Sequence, residues 1–278
     1  EIAILTDIQD WIAPLVSALE RLGARVEVAT AAARLPARGL LFTRVSAGCA
    51  AENPRLAGEV ASLLETLQRS GRRLVNGAAA CRLGFDKLAQ ARHFRQCGAR
   101  APETRALPPR GRAMPERSVL VKPLAGGRGQ GIVRLAPGES PPASPAASAA
   151  DWIEQEFIEP ADGRVHRVEI LGGEPLYLAS TAIRDDSFDY CLAAGGGETT
   201  LSRGIAPRLV QLIRVLAARA EMRVGSVEYL AGPAGEPCFI DLNPVSSYLP
   251  GAARQLGFDP LARLAAWLVE QASRPRRA

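Results

Sequence analysis

The sequence predicts an α/β fold class with a second, α+β part, and three observations lead to it. Short apolar strands alternate with amphipathic helices over the first 76 residues, as in a parallel sheet covered by helices. Later strands follow one another through glycine-rich turns such as Gly172-Gly173, which is typical of antiparallel pairs. The chain has 278 residues, of which 47% are hydrophobic, enough for two or three packed lobes.

The elements of the first part follow from the spacing of apolar residues. Helical spacing over residues 11–22 and 55–70 stops at Gly23 and Gly71, and glycine is the residue that most often follows a helix. The predicted strands of this part lie at residues 2–5, 25–29, 39–43 and 73–76.

The elements of the second part alternate less regularly. Strands at residues 118–122 and 131–135 enclose a glycine-rich turn, and the Pro/Ala/Ser-rich residues 137–149 predict a surface connection. The other predicted elements are helices at 86–96, 207–222 and 259–272 and strands at 152–158, 164–171, 175–182, 225–230 and 237–242.

The composition argues against two classes of partner. The net charge of +5 is spread along the chain and aromatic residues make up 5%, whereas nucleic-acid binding needs a concentrated basic face and stacking aromatics. The one basic cluster, residues 274–277, is expected to be a solvated end. Apolar runs stop well before the roughly 18–20 residues that cross a bilayer. We expect no nucleic-acid and no membrane partner.

The cysteines predict a reducing environment. They are odd in number and scattered, without a CxxC pair, which is typical of buried, reduced thiols in the cytoplasm. The first residues lead directly into a predicted strand, without a basic-then-apolar leader. The five are Cys49, Cys81, Cys97, Cys191 and Cys238.

Lysine is rare in this chain. Of the 34 basic residues only Lys87 and Lys122 are lysines. A lysine kept among so many arginines suggests a position that needs a compact, rotatable ammonium group, and chance retention is the alternative. The surroundings of each lysine decide between the two interpretations.

Lys122 opens a glycine-rich turn between two predicted strands. The segment from Val121 to Gly131 reads VKPLAGGRGQG. Glycines let backbone N–H groups approach phosphate oxygens and form an anion-binding concavity, to which Lys122 would add a point charge. Because a strand and not a helix follows, the segment is neither a Walker A loop nor a Rossmann fingerprint. A simple glycine-rich hairpin is the alternative.

The predicted strand at residues 152–158 ends in a segment suited to a nucleoside. Its sequence WIEQEFI runs into Glu159 and Asp162. Backbone N–H and C=O groups at a strand end can bind an adenine edge, and a carboxylate can accept from ribose hydroxyls. An ordinary strand is the alternative.

Two neighbouring predicted strands carry oxygen ligands at one end. Glu228 lies in GSVEYL, and Asp241 and Asn243 lie in FIDLNP. Residues two apart share a strand face, and Mg²⁺ prefers such hard oxygens together with substrate phosphates. Paired surface acids are the alternative.

The order of these motifs resembles the ATP-grasp superfamily. A lysine helix, strand-KPxxGGxGxG-strand, EFI, an arginine strand with a GG turn, GxxEYL and DLNP follow one another over nearly the whole chain. The pattern looks most like ribosomal-protein glutamate ligases and archaeal-type tyramine–glutamate ligases, which join a carboxylate to an amine through an acyl phosphate. The resemblance implies an ATP-grasp fold with an N-terminal α/β (pre-ATP-grasp) lobe at 1–76, a lid at 77–155 and a C-terminal nucleotide- and metal-binding lobe at 156–278.

The resemblance also implies residue roles. Lys87 and Lys122 match the two nucleotide lysines, so both lysines of the chain fall on lysine positions of the pattern. Arg167 matches the arginine of the DxRVxVxGG strand, and a carboxylate substrate is expected to be gripped by Arg167 or Arg184. The remaining implied ATP-binding residues are Gly126, Gly127, Gly129, Gly131, Glu156, Phe157, Ile158 and Asp162. The implied ligands of Mg²⁺, or alternatively Mn²⁺, are Glu228, Asp241 and Asn243.

Several positions depart from the pattern. Val165 stands where the DxR strand has its acid, which leaves ribose recognition to Asp162 or Glu159. Asp189 and Cys191 stand where the glutamate ligases have Arg and Asn, and Arg184 would supply the charge from nearby. In most relatives Glu occupies the position of Asp241.

Together these expectations describe an ATP- and Mg²⁺-dependent, ADP-forming ligase that joins a small carboxylate to an amine. Residues 243–248 resemble the NPxxTSY stretch of the tyramine–glutamate branch, so glutamate and a small amine in cofactor biosynthesis are the narrower hypothesis. Phosphoryl transfer depends on positioning and charge stabilisation, so His93 and His166 are expected to have structural or surface roles. The alternatives are a catalytically weakened ATP-binding regulatory protein and a phosphotransferase acting on a hydroxyl. A homodimer is left open.

Overall fold

The computed structural model describes most of the chain. Its described residues are 1–8, 12–30, 35–36, 38–107, 116–127, 129–140, 152–183, 197–246, 248–249 and 251–275. Most of the predicted connection at 137–149, together with Arg184, Asp189 and Cys191, lies outside these ranges.

The described residues form three sheets with helices on their faces. The strands are β1 (Ile2–Thr6), β2 (Val26–Ala29), β3 (Leu40–Arg44), β4 (Leu74–Val75), β5 (Thr104–Ala106), β6 (Val119–Pro123), β7 (Val133–Leu135), β8 (Trp152–Glu156), β9 (Arg164–Leu171), β10 (Glu174–Ala182), β11 (Thr199–Ser202), β12 (Val224–Ala231) and β13 (Pro237–Asn243). The helices are α1 (Ala13–Arg21), α2 (Ala47–Glu52), α3 (Pro54–Arg69), α4 (Ala78–Phe85), α5 (Lys87–Gln96), α6 (Pro207–Arg219), α7 (Ala252–Leu256) and α8 (Pro260–Ser273).

The first sheet is parallel and has the strand order β2-β1-β3-β4. Every residue of β1 and β3 is buried, as expected for parallel strands that are covered on both faces. Helices α1 and α8 pack on one face, and α2, α3 and α4 pack on the other. Helix α8, near the end of the chain, therefore packs on the sheet that contains the first strand, β1.

The second sheet is antiparallel, with the order β11-β10-β9-β12-β13. On β9, Val168 and Ile170 face a core built with α5 and α6. Because side chains alternate along a strand, Arg167 and Glu169 point to the opposite face. One face of this sheet is thus structural, and the other carries polar side chains.

The third sheet is small, with the order β5-β8-β6-β7 and antiparallel pairs. Its core is Val119, Val121 and Leu135, with Trp152 packed against them. The parallel first sheet and the two antiparallel sheets confirm the predicted fold class. Among the described residues no helix is both long and apolar enough to cross a membrane.

Two buried amides join the first sheet and the N-terminal helices to the second sheet. The Asn76 side chain donates to the carbonyls of Val224 and Pro244 and accepts from two backbone N–H groups. The Gln90 side chain on α5 donates to Leu242 O at 3.0 Å and accepts from Leu242 N. Each amide therefore uses its hydrogen-bonding groups between parts of the chain that are far apart in sequence.

The division into lobes at residues 76 and 155 stays a prediction. Helices α4 and α5 lie in the lid segment of that division, yet Ala80 and Phe94 pack in the core of the second sheet. Five short elements, α2, α4, β5, β11 and α7, were not predicted. Each has at most eight residues, too few for a periodic signal.

Candidate functional site

Lys122 is a buried lysine fixed by a chain of hydrogen bonds. It is 5% exposed, and its Nζ donates to Gln155 Oε1 at 2.8 Å. Gln155 in turn donates to Thr104 Oγ1 at 2.9 Å, so strands β5, β6 and β8 hold the ammonium group together. Burial and, to a smaller extent, the charge of Lys87 lower the pKa of Lys122 to about 8, against the opposing effect of Asp241 and Glu228.

Lys87 lies in the first turn of α5. Asp86 caps that helix by accepting from Ala89 N at 2.8 Å, which sets the position of Lys87. The Lys87 Nζ donates to Gly126 O at 2.6 Å, and its backbone N–H donates to Leu124 O at 3.1 Å. The start of α5 is thereby tied to the glycine-rich turn. Burial lowers the pKa of Lys87, against the attraction of Asp241 and Asp86.

The predicted oxygen ligands lie side by side on β12 and β13. Glu228 is directly opposite Asp241 in the antiparallel register, and Asn243 is opposite Ser226. All three side chains are half-buried. Asn243 Oδ1 accepts from Val245 N at 2.9 Å, which fixes the amide. Two carboxylates and one amide oxygen therefore meet at one end of the strand pair.

Arg167 links Glu228 to a second, fully buried carboxylate. Its Nη1 donates to Glu228 Oε1 at 2.8 Å and its Nε donates to Glu169 Oε1 at 2.8 Å. Burial opposes the charge of Arg167, but the two carboxylates outweigh it and raise the guanidinium pKa. Burial also raises the pKa of Glu228, and Arg167 counteracts this. Among the described residues, Nη2 of Arg167 has no hydrogen-bond partner.

The site combines opposite charges on facing sheets. Lys122 is on the third sheet and Lys87 is on α5, whereas Asp241 and Glu228 are on the second sheet. Both carboxylates raise the pKa of Lys122. Asp241 also raises the pKa of Lys87. A buried and a half-buried ammonium group near two carboxylates can bind a polyanion together with a divalent cation.

The glycine-rich turn covers the lysine side of the site. Gly126, Gly129 and Gly131 have φ values of +123°, +67° and +73°, a region that other residues adopt only with strain. A Cβ on Gly126 would meet the Ala51 side chain at 3.9 Å, so the turn lies beside α2. Gly127 is exposed, and a Cβ there would meet nothing within 4 Å.

The expected adenine segment follows β8. Phe157 N donates to Ser118 O at 3.2 Å, and the Arg134 guanidinium lies 3.8 Å from the centre of the Phe157 ring. The Glu156 carboxylate accepts hydrogen bonds from the Arg117 guanidinium and from Glu103 N. Ile158 is half-buried. The roles of Glu156, Phe157 and Ile158 stay predictions.

Asp162 lies on the other side of β9 from Arg167. Its Oδ2 is 2.7 Å from His166 Nε2, and His166 stacks on Tyr229, which belongs to the core of the second sheet. Neighbouring strand residues point to opposite faces, so Asp162 and Arg167 are not brought together. Val165, where the motif has an acid, is buried.

Some residues of the site carried no sequence signal. Gln155 was part of a predicted strand, but nothing marked it as the acceptor for Lys122. Glu169 was visible only as a polar residue in the arginine strand, although it is fully buried and pairs with Arg167. Such pairings join residues far apart in sequence and depend on the fold.

The donor set fits a divalent cation shared with phosphate oxygens. Among the described residues, no group of three or more His, Cys, Asp or Glu side chains could hold a metal ion. The two carboxylates and the amide match the few protein ligands that Mg²⁺ takes when substrate phosphates complete its shell.

No family model matches the chain. No curated protein matches it either.

Solved structures match almost the whole chain. D-cycloserine synthetase DcsG is 15% identical, with a TM-score of 0.67, and the match covers 98% of this chain and 100% of that one. The ATP-grasp ligase PsnB complexed with minimal precursor, Mg and ADP is 15% identical, with a TM-score of 0.63 and coverage of 98% and 97%. A RimK domain protein ATP-grasp from Sphaerobacter thermophilus is 20% identical, with a TM-score of 0.62 and coverage of 96% and 99%. The chain therefore has the ATP-grasp fold.

Proposed function

We propose that this protein is an ATP- and Mg²⁺-dependent ligase that activates a carboxylate as an acyl phosphate and joins it to an amine, releasing ADP. The observation that carries the proposal is the meeting of both lysines of the chain with Glu228 and Asp241 in one site. The fold supports it, since the matched structures include one enzyme described as a ligase and one described as a synthetase.

The two lysines are suited to bind the phosphates of ATP. Each donates a hydrogen bond to a neutral acceptor, Gln155 Oε1 for Lys122 and Gly126 O for Lys87. Charge-assisted hydrogen bonds to phosphate are stronger than neutral ones, and phosphate charge offsets the burial that lowers both lysine pKa values. The lysines therefore orient the triphosphate and stabilise its charge during transfer.

Glu228, Asp241 and Asn243 would hold Mg²⁺. When bound, the ion neutralises charge on the transferring phosphoryl group and orients it. Arg167 keeps the Glu228 carboxylate in place through its Nη1 at 2.8 Å, and Glu169 fixes Arg167 from the other side.

The glycine-rich turn is suited to exclude water. An acyl phosphate hydrolyses readily, so a covered site protects it. The hydrogen bond from Lys87 Nζ to Gly126 O couples the turn to this lysine. Phosphate binding at Lys87 would therefore also change the position of the turn. Closure of such a turn over bound nucleotide is a common way to sequester a reaction.

The reaction has two steps. A carboxylate oxygen attacks the γ-phosphorus, forming an O–P bond as the bond to ADP breaks. The amine nitrogen then attacks the acyl carbon, and phosphate leaves with the electron pair while the nitrogen loses a proton. Arg167 has three N–H groups left to bind an acid substrate, two on Nη2 and one on Nη1, because Nε and the other Nη1 hydrogen already bind carboxylates.

Two measurements test the proposal. ADP release is screened with pools of acids and amines, and the reaction is repeated with hydroxylamine in place of the amine. We expect ADP release only when an acid is present, and a hydroxamate from the trapped acyl phosphate. Release of ADP with a hydroxyl acceptor and no hydroxamate would identify a phosphotransferase, and ATP binding without turnover would identify a regulatory protein. The homodimer stays open, and the cytoplasmic location stays a prediction.

A further inference from the structure

Arg44 is a buried cation without a direct charged partner. It is the last residue of β3 and is 5% exposed. Among the residues that the structure describes, its guanidinium makes no hydrogen bond or ion pair, and its central carbon lies 5.8 Å from the centre of the Phe42 ring. A buried charge is costly unless it is paired, so Arg44 calls for an explanation.

The carboxylates nearest to Arg44 are already engaged. Asp7 accepts from Ser46 N at 3.0 Å and from the Ser46 hydroxyl. Glu169 accepts from Arg167 and from the Ser246 hydroxyl. Burial lowers the pKa of Arg44, although Tyr248, Glu169 and Asp7 counteract it. The acids attract Arg44 from a distance and leave its donors available.

Several buried hydroxyls also lack partners among the described residues, and one of them belongs to Tyr248, which packs against the core that contains Phe42 of β3. The Tyr248 hydroxyl is buried and, among the described residues, makes no hydrogen bond; the same holds for Ser226 Oγ. Burial raises the pKa of Tyr248, so its hydroxyl keeps its proton and can donate. Ser226 lies between Glu169 and Asn243 in the register of the second sheet.

The position of these groups connects them to the proposed reaction site. Arg44 is at the carboxyl end of a parallel strand, where open α/β sheets bind ligands. It acts electrostatically on Glu169, and Glu169 is joined through Arg167 to Glu228. Glu169 and Asn243 both pair with Ser226, from β9 and from β13, so two strand spacings, roughly 10 Å, separate Glu169 from this proposed metal ligand.

We propose that Arg44 and the Tyr248 hydroxyl form a subsite for the second carboxylate of a dicarboxylic acid substrate, the one that is not activated. This rests on the proposed ligase function. A planar guanidinium grips a carboxylate in two places. A doubly charged phosphate would be repelled more strongly by Glu169 and Asp7, so a singly charged carboxylate fits better.

The first test measures binding and does not require turnover. Thermal unfolding is followed with glutarate and with pentanoate, which has the same chain length but one carboxylate, in the presence of Mg²⁺ and a non-hydrolysable ATP analogue. We expect glutarate to raise the Tm of the wild type and pentanoate to have a much smaller effect. In Arg44→Gln the glutarate shift is expected to disappear, while the shift caused by the ATP analogue stays.

A matched variant controls for general loss of charge. Arg73 lies just before β4, at the amino end of the same sheet, and donates to carbonyls at the end of α8. Arg73→Gln is expected to lower the Tm and to keep the full glutarate shift. Should Arg44→Gln fail to fold, Arg44→Lys keeps the charge without the fork and is expected to weaken glutarate binding about tenfold.

A kinetic test separates positioning from structural support. Once an acid substrate is found, Arg44→Gln is expected to raise its KM at least about tenfold, with the KM for ATP unchanged. An equal glutarate shift in wild type, Arg44→Gln and Arg73→Gln would overturn the subsite, as would no shift with glutarate in the wild type. Neither result would contradict the ligase proposal, which is tested separately by acid-dependent ADP release.

Discussion

Lys122 Nζ donates to Gln155 Oε1 at 2.8 Å, and both side chains are buried. The acceptor is a neutral amide, so the ammonium charge is oriented but not neutralised by its direct partner. The negative charges that act on it, Asp241 and Glu228, lie on the facing sheet. The ammonium group of Lys122 is therefore held in position and keeps a positive charge that can bind a phosphate.

We expect Lys122→Ala to weaken ATP binding at least about tenfold, the effect of losing one charge-assisted contact. Lys122→Arg should also weaken it, because the fork cannot replace a point charge in the space beside Gln155. Calorimetric titration with ATP measures both. Arg55→Gln, which removes an exposed cation from an exposed pair on α3, is the control and should bind ATP normally; equal affinity in all four proteins would refute the phosphate role.

ATP binding should weaken as the pH rises above about 8. The pKa of free Lys122 is lowered to about 8, and phosphate raises it again, so binding above this pH takes up a proton. The dissociation constant of metal-free ATP should then rise by up to about tenfold per pH unit. Titrations between pH 6.5 and 9.5 measure this.

Gln155→Glu provides the control for the pH effect. A carboxylate beside Lys122 favours its charged form, so the inflection should move to higher pH. The same inflection in the wild type and in Gln155→Glu would assign it to another group.

We expect Asp241→Asn and Glu228→Gln to abolish turnover but to change stability in opposite directions. Asp241 forms no hydrogen bond among the described residues and faces Glu228, so neutralising it removes like-charge repulsion. We expect this gain to exceed the lost attraction to Lys87 and Lys122, since Asp241 forms no ion pair with either among the described residues. Glu228 holds Arg167, so its loss should lower the Tm. ADP release at limiting Mg²⁺ and thermal unfolding are the two measurements. Glu174→Gln, in an exposed pair, should leave both unchanged, and wild-type turnover in either site variant would disprove the metal site.

Asn76→Ala should destabilise the fold by about 2–4 kcal/mol, because it leaves buried backbone groups of Val224 and Pro244 without partners. Denaturant unfolding gives the free energy. Asn53→Ala, which removes only the cap of α3, should cost about 1 kcal/mol. A loss in Asn76→Ala no larger than that of Asn53→Ala would contradict the bridging role of Asn76.

Glutamate is the expected activated acid, with a small amine as acceptor. The reasons are the two branches that the sequence resembles and the arginines near the site. Enzyme, ATP and Mg²⁺ are incubated with glutamate, with and without candidate amines, and ADP is measured. If another acid stimulates ADP release and glutamate never does, the glutamate assignment fails and the ligase class remains.

The sequence alone determined the fold class and the candidate phosphate and metal residues. Strands β9, β12 and β13 are long and bounded by clear turns, so their periodic patterns were strong. The motif residues Lys122, Glu228 and Asp241 were visible because their residue types and spacing are local properties. Short elements such as α2 and β5 were missed, since a few residues give no periodicity.

Only the tertiary structure decided which of these residues meet. Lys122 faces Gln155, Asn76 joins β4 to β12, and Arg44 lies buried near Glu169 without contacting it. These relationships join positions far apart in the chain, where spacing carries no information. Burial then changes the properties of the charged side chains, because removal of water disfavours their charged forms. It lowers the pKa of Lys122, and it makes the binding of an anion beside Arg44 favourable.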